Sequence, residues 1–159
     1  MNIFLQFIFG LLATIGFCIL FHVPTKKIIG AGFVGAAGWA TYMYSIQDGQ
    51  SKLLACFFGA CIVGLFADIL SRVCKEAAII YIIPGIIPLV PGAGMYYTTL
   101  YLINGDLSAS AAKGTETLLM AGSISVGLLV VGSILRIRHV VSSKFQKRIT
   151  KKNTMRGTE

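Results

Sequence analysis

The chain has 159 residues, of which 55% are hydrophobic and 13% charged, and its mean hydropathy is +0.78. A soluble domain of this length carries about 25% charge, so the composition excludes an ordinary soluble enzyme and fits one integral membrane domain. The net charge of +8 is gathered at the C-terminus, where eight of the fourteen basic residues follow residue 135 and Phe145 is the one aromatic residue among them, a pattern unlike a nucleic-acid site.

Roughly 20 apolar residues make one membrane span, and five such segments are predicted. The first covers residues 2–21. Its opening, MNIFLQ, has no basic stretch and no clear small-residue cleavage site follows it, so it is expected to stay as a span. The second covers residues 28–46 and carries Gly30, Gly32, Gly35 and Gly38 among alanines. The third, residues 53–70, has Ala55 and Gly59 four residues apart. The fourth covers residues 77–103, and the fifth residues 117–135 with Gly122, Gly127 and Gly132. Glycine lets helix backbones approach closely in lipid, where van der Waals packing drives association. The expected fold is an all-α integral membrane protein, a tightly packed bundle of about five transmembrane helices with its fourth helix broken.

The charges fall between these segments. If successive connections alternate sides, twelve basic residues lie on the side of the C-terminal tail and two, Lys52 and Lys113, on the other. The positive-inside rule then predicts an N-terminus outside and a C-terminus in the cytoplasm. Residues 1–135 form the transmembrane bundle in this reading, and residues 136–159 a basic tail that touches anionic lipid.

The fourth segment contains IIPGIIPLVPGAGMYY, residues 82–97. Three of the four prolines of the chain, Pro84, Pro88 and Pro91, fall within it, with Gly85, Gly92 and Gly94 between and after them. Proline removes a backbone donor and clashes with the carbonyl four residues back. Freed carbonyls in hydrocarbon cost several kcal/mol unless protein or a wet cavity surrounds them. The segment is therefore expected to break, to face the bundle interior and to line a substrate path, as broken helices do in transporters. Tyr96, Tyr97 and Thr98 follow the break and offer hydroxyls to a small polar substrate; an interfacial aromatic belt is the alternative reading.

Asp68 is the one acid inside a predicted span. Such acids are candidates for proton or cation coupling, although Asp68 lies one turn from the segment end and is expected to pair with Arg72. No Ser-His-Asp or Cys-His constellation can be built from His22 and His139, so no enzyme is predicted. The four cysteines, Cys18, Cys56, Cys61 and Cys74, form no CxxC pair and are expected to be reduced packing residues. No metal site and no cofactor are predicted.

The run IIPGIIPLVPGAGMYYTTLYLINGD, residues 82–106, resembles the signature of the threonine/serine exporter family. Pro84, Gly85, Pro88, Leu89, Val90, Pro91 and Gly92 match its motif of the type PGxxPLVPG. The resemblance implies the small, C-terminal-half subunit of a split exporter in a bacterial inner membrane. It implies a larger partner subunit carrying the N-terminal half, and gradient-driven export of threonine and serine. Export of a dicarboxylate such as succinate is the alternative cargo, and a non-transporting scaffold role the alternative function. A carboxylate-bearing substrate fits a helix N-terminus in either case of transport.

Overall fold

The structure, a computed structural model, describes the backbone of residues 2–156 and the side chains of residues 2–137. It is helical throughout the regular elements described. Helix α1 is Ile3–Leu20, α2 Thr25–Gln47, α3 Lys52–Cys74, α4 Ile79–Ile86, α5 Gly92–Ile103 and α6 Leu107–Arg156. A 3-10 turn, Ile87–Leu89, joins α4 to the break.

The helix starts are set by polar caps. Asn2 accepts from the Phe4 amide at 3.4 Å, Ser51 from Leu54 at 3.4 Å and Asp106 from Ala109 at 2.9 Å. Each cap satisfies an amide that the first helical turn leaves orphaned. Asp106 starts α6 ten residues before the apolar stretch that marks the fifth predicted span, because the alanine-rich stretch after it favours helix whatever its polarity. The α5–α6 turn needs Gly105, whose φ is +80°, a conformation that glycine adopts without strain.

α1, α3 and Leu107–Ile137 of α6 are long and apolar enough to cross a membrane, and α4 with its turn does so jointly with α5 as a pair bent by 50°. By length and composition that makes three spans among the described residues, or four with the bent pair, against the five expected. α2 has the length, 23 residues, but its glycines, tyrosines and Trp39 dilute its apolarity. It is instead the centre of the bundle, packed on α1, α3 and α4.

Small residues decide how close these helices come. A Cβ on Gly59 of α3 would stand 3.1 Å from the Gly38 carbonyl oxygen of α2, so the two backbones touch there. α1 and α2 are antiparallel and are tied by the Trp39 indole, which donates to the carboxamide oxygen of the buried Gln6 at 2.9 Å. α4 runs alongside α2 in the same direction: Tyr81 reaches Gly30, Gly85 packs on Val34 and Leu89 meets Gly38.

α3 and α6 run parallel. Lys52 meets Glu116 at one end, Gly127 packs on Phe57 and Ala60 midway, and Arg72 and Arg136 line one cavity at the other end. The intervening chain therefore makes one net return crossing, through α4 and the break. The two ends also sort the charges as the sequence predicts. Lys27 pairs with Glu76 at 3.6 Å at the Arg72 end, and Lys52 and Lys113 share Glu116 at the other. α6 continues past residue 135 without interruption to Arg156, and the side chains of the expected basic tail after residue 137 lie outside the described residues.

Candidate functional site

The proline–glycine segment does not unwind at its first proline. Pro84 lies inside α4, fully buried, beside Gly85, where a Cβ would stand 3.0 Å from Val34. One proline removes one helical bond, here the one to the carbonyl of Ile80 in the first turn of α4. Regular structure ends at Pro88–Pro91 instead, where the chain narrows to a 3-10 turn, extends at Val90 (φ −61°, ψ 129°) and re-enters a helix at Gly92. The prolines act differently: Pro91 pushes Val90 out of helical backbone, whereas Ile87 before Pro88 stays helical (φ −55°, ψ −42°) and Pro88 acts by removing a backbone donor.

Leu89 anchors this break. It is 4% exposed, and its methyl groups lie over the contact between Gly38 and Gly59, at 3.0 Å and 3.3 Å from a Cβ placed on Gly59. With Leu89 held in the core, Pro88 and the residues after Leu89 turn to the other side.

They turn onto a cavity of about 270 Å³ lined by Trp39 and Tyr42 of α2, Lys52 of α3, Pro88–Gly94 and Lys113, Glu116, Thr117 and Met120 of α6. Its size is that of a small metabolite. The wall is apolar and aromatic on the α2 side, where Trp39 and Tyr42 stack with centroids 5.4 Å apart. Charge comes from the opposite side. Glu116 accepts from Lys52 at 2.8 Å through Oε1 and from Lys113 at 2.7 Å through Oε2. The set carries a net charge of one plus, and the first turn of α5, which has no side-chain cap, adds the positive end of a helix dipole.

The structure brings Pro88, Pro91, Gly92 and Gly94 of the expected residues to this cavity. A Cβ on Gly92 would meet nothing within 4 Å, whereas one on Gly94 would run into the Thr117 side chain, so Gly94 is the contact that seats α5 on α6. Pro84 and Gly85 stand behind the cavity in the core. Tyr96 and Tyr97 point outward, 64% and 45% exposed, with rings 5.4 Å apart. The Thr98 hydroxyl donates to its own helix at Gly94 O, 2.8 Å away. Asp68 is at the far end of the bundle, where Arg72 grips it through Nε at 2.6 Å and Nη2 at 3.1 Å.

Lys52, Lys113, Glu116, Thr117, Met120, Trp39 and Tyr42 are cavity residues that sequence reasoning missed. One signal pointed to two of them: Lys52 and Lys113 are the basic residues that the charge count left on the sparsely charged side, and both lie in this cavity.

Residues 6–134 of the chain match the family described as Threonine/Serine exporter, ThrE. A curated relative, an uncharacterized protein of Haemophilus influenzae, is 24% identical over 96 residues, which are 60% of this chain and 32% of the relative. The chain thus spans about a third of the length of the curated relative it matches. No solved structure matches the chain.

Proposed function

The chain belongs to the threonine/serine exporter family, and on that premise we propose that it is the smaller subunit of a gradient-driven exporter of small carboxylate-bearing metabolites, threonine and serine first. The observation that carries this reading is the cavity at the break, which joins the family's proline–glycine motif to Lys52, Lys113 and Glu116. A larger partner subunit carries the N-terminal half of the exporter, and the pair works in a bacterial inner membrane. Counting α2 as a crossing beside α1, α3, the bent pair and α6 makes five, an arrangement with the N-terminus outside and the basic tail in the cytoplasm that the gathering of Lys27, Arg72 and Arg136 at one end supports.

In this mechanism the substrate carboxylate competes with Glu116 for the two lysine ammonium groups. The side chains of Lys52, Lys113 and Glu116 are 57%, 31% and 36% exposed, and ion pairs of such exposure are worth about 0–1 kcal/mol each. A ligand can therefore exchange for Glu116 at little cost. The exchange loosens the tie between α3 and α6 at the mouth of the cavity, while the substrate ammonium group turns to Glu116. The two lysines also favour the dicarboxylate reading, in which each takes one carboxylate.

The test is efflux of threonine, serine and succinate from cells lacking this chain, lacking the candidate partner, and restored with either or both. A defect in one cargo that only the pair repairs is the expected outcome. Cysteine labelling at the cavity positions 88 and 90–94, protected by the same cargo, is expected with it. Normal efflux of every cargo, with no labelling but crosslinks to the partner, would replace the transport reading with a scaffold.

A further inference from the structure

A second cavity, about 340 Å³, opens between α3, α4 and α6 at the end of the bundle opposite the break. Its walls are Ala78, which precedes α4, Ile82 of α4 and Leu128 and Leu135 of α6, with Gly64 and Gly132 facing it from α3 and α6. A Cβ on Gly132 would meet nothing within 4 Å. A Cβ on Gly64 would touch Leu128 and Val131 at 3.4 Å, so the helices pack there and the apolar trough opens beyond it, at Gly132.

Polar groups enter this trough at one end only. Along α3 the lining runs from Gly64 to Asp68 and Arg72, and along α6 from Leu128 and Gly132 to Arg136. Asp68 neutralises Arg72 by the two-point contact already described, yet one Nη of that guanidinium stays outside the contact. Arg136 has no acidic partner among the described residues. The trough therefore ends in two guanidinium groups and one carboxylate, one positive charge in excess, at the end that also carries Lys27.

A compact anion joined to a long apolar body is the ligand with both features. A free phosphate would use the arginines and leave the trough empty; a neutral acyl chain would use the trough and leave Arg136 unmatched. We propose that this groove holds one anionic phospholipid, its phosphate between Arg72 and Arg136 and an acyl chain along Gly64 and Gly132. Guanidinium groups suit a phosphodiester because their planar N–H fork matches its oxygens, and basic pockets between helices on the positive side of a membrane protein recognise such headgroups. The bound lipid fills the gap between α3 and α6 at the end that Glu116 does not hold together.

The test is native mass spectrometry of the full chain in mild detergent, with phosphatidylglycerol or phosphatidylcholine of the same acyl chains. Phosphatidylglycerol is expected to be retained as a single adduct, about fivefold over phosphatidylcholine, the factor one basic residue near an anionic surface supplies. Arg136→Gln is expected to remove that preference, and Gly132→Leu to remove both lipids by filling the trough. Changing Lys144, Lys147, Lys151 and Lys152 to Gln together is expected to leave the adduct in place. Helical circular dichroism of each variant separates a lost site from a lost fold, and Arg136→Gln decides the matter if Gly132→Leu does not fold. Equal retention of the two lipids overturns the proposal. So does an adduct that survives Arg136→Gln and disappears with the four lysines, or one that glycerol phosphate displaces at equal concentration.

Discussion

Leu89 stands 3.0 Å from the place a Cβ on Gly59 would occupy. The leucine belongs to the break and the glycine to α3, so the segment that lost its helix is pinned by a peg over a backbone contact. Gly59→Val would force Leu89 and the Gly38 carbonyl apart. Overpacking of this kind costs about 1–3 kcal/mol. Thermal unfolding in detergent is expected to show the loss, with Gly16→Ala, whose Cβ would meet nothing within 4 Å, leaving the midpoint unchanged.

Leu89→Ala tests the peg from its other side. Removing a buried leucine leaves a cavity and costs about 2–5 kcal/mol in a well-packed core. Stability and export are expected to fall together. Export lost at full stability would mean that Leu89 acts on substrate instead.

Gly92→Leu adds a side chain where the cavity is open and no atom stands within 4 Å. Insertion and thermal stability are expected to stay normal while export falls by about tenfold or more, equivalent to about 1.4 kcal/mol. Wild-type export at normal expression would remove this cavity from the path. Pro88→Ala is expected to act in the same direction by letting helix extend into the break.

Glu116→Gln keeps the size of the side chain and releases Lys52 and Lys113. Each exposed pair is worth about 0.5–1 kcal/mol at most, so the half-saturating substrate concentration for efflux is expected to fall by about two- to fivefold. The gain is expected to shrink at high salt, because the freed ammonium groups are screened. A half-saturating concentration that rises would give Glu116 a direct hold on the substrate that outweighs its competition.

Asp68→Asn separates an ion pair from a coupling group. The pair with Arg72 is partly exposed, its side chains 25% and 45% accessible, and contributes about 0–1 kcal/mol. Export from vesicles under an imposed proton gradient is expected to continue near the wild-type rate. Export that loses its dependence on the gradient would make Asp68 the coupling residue.

The membrane class, the helical segments and the break were legible in the residues themselves. Apolar runs of span length admit few other folds, because every backbone polar group in lipid must be bonded within the segment. The proline cluster announced a break on the same ground, and the Asp68–Arg72 pair followed from helical spacing alone. The helix that survives Pro84 was not legible, since whether one lost bond matters depends on what surrounds the freed carbonyl. Nor was the outward orientation of Tyr96 and Tyr97, because α5 packs chiefly on α6 and a 12-residue helix has no fixed face until its neighbours are known.

The sequence by itself determined that this is an all-helical membrane chain of the threonine/serine exporter family with a break in its fourth apolar segment. Only the tertiary structure decided what stands around that break. Lys52 and Glu116 are 64 residues apart in the chain and 2.8 Å apart in the fold, as a consequence of α3 and α6 running parallel. No local spacing encodes such a juxtaposition: it follows from how closely Gly38 and Gly59 let the helices approach and from where Leu89 pins the chain between them.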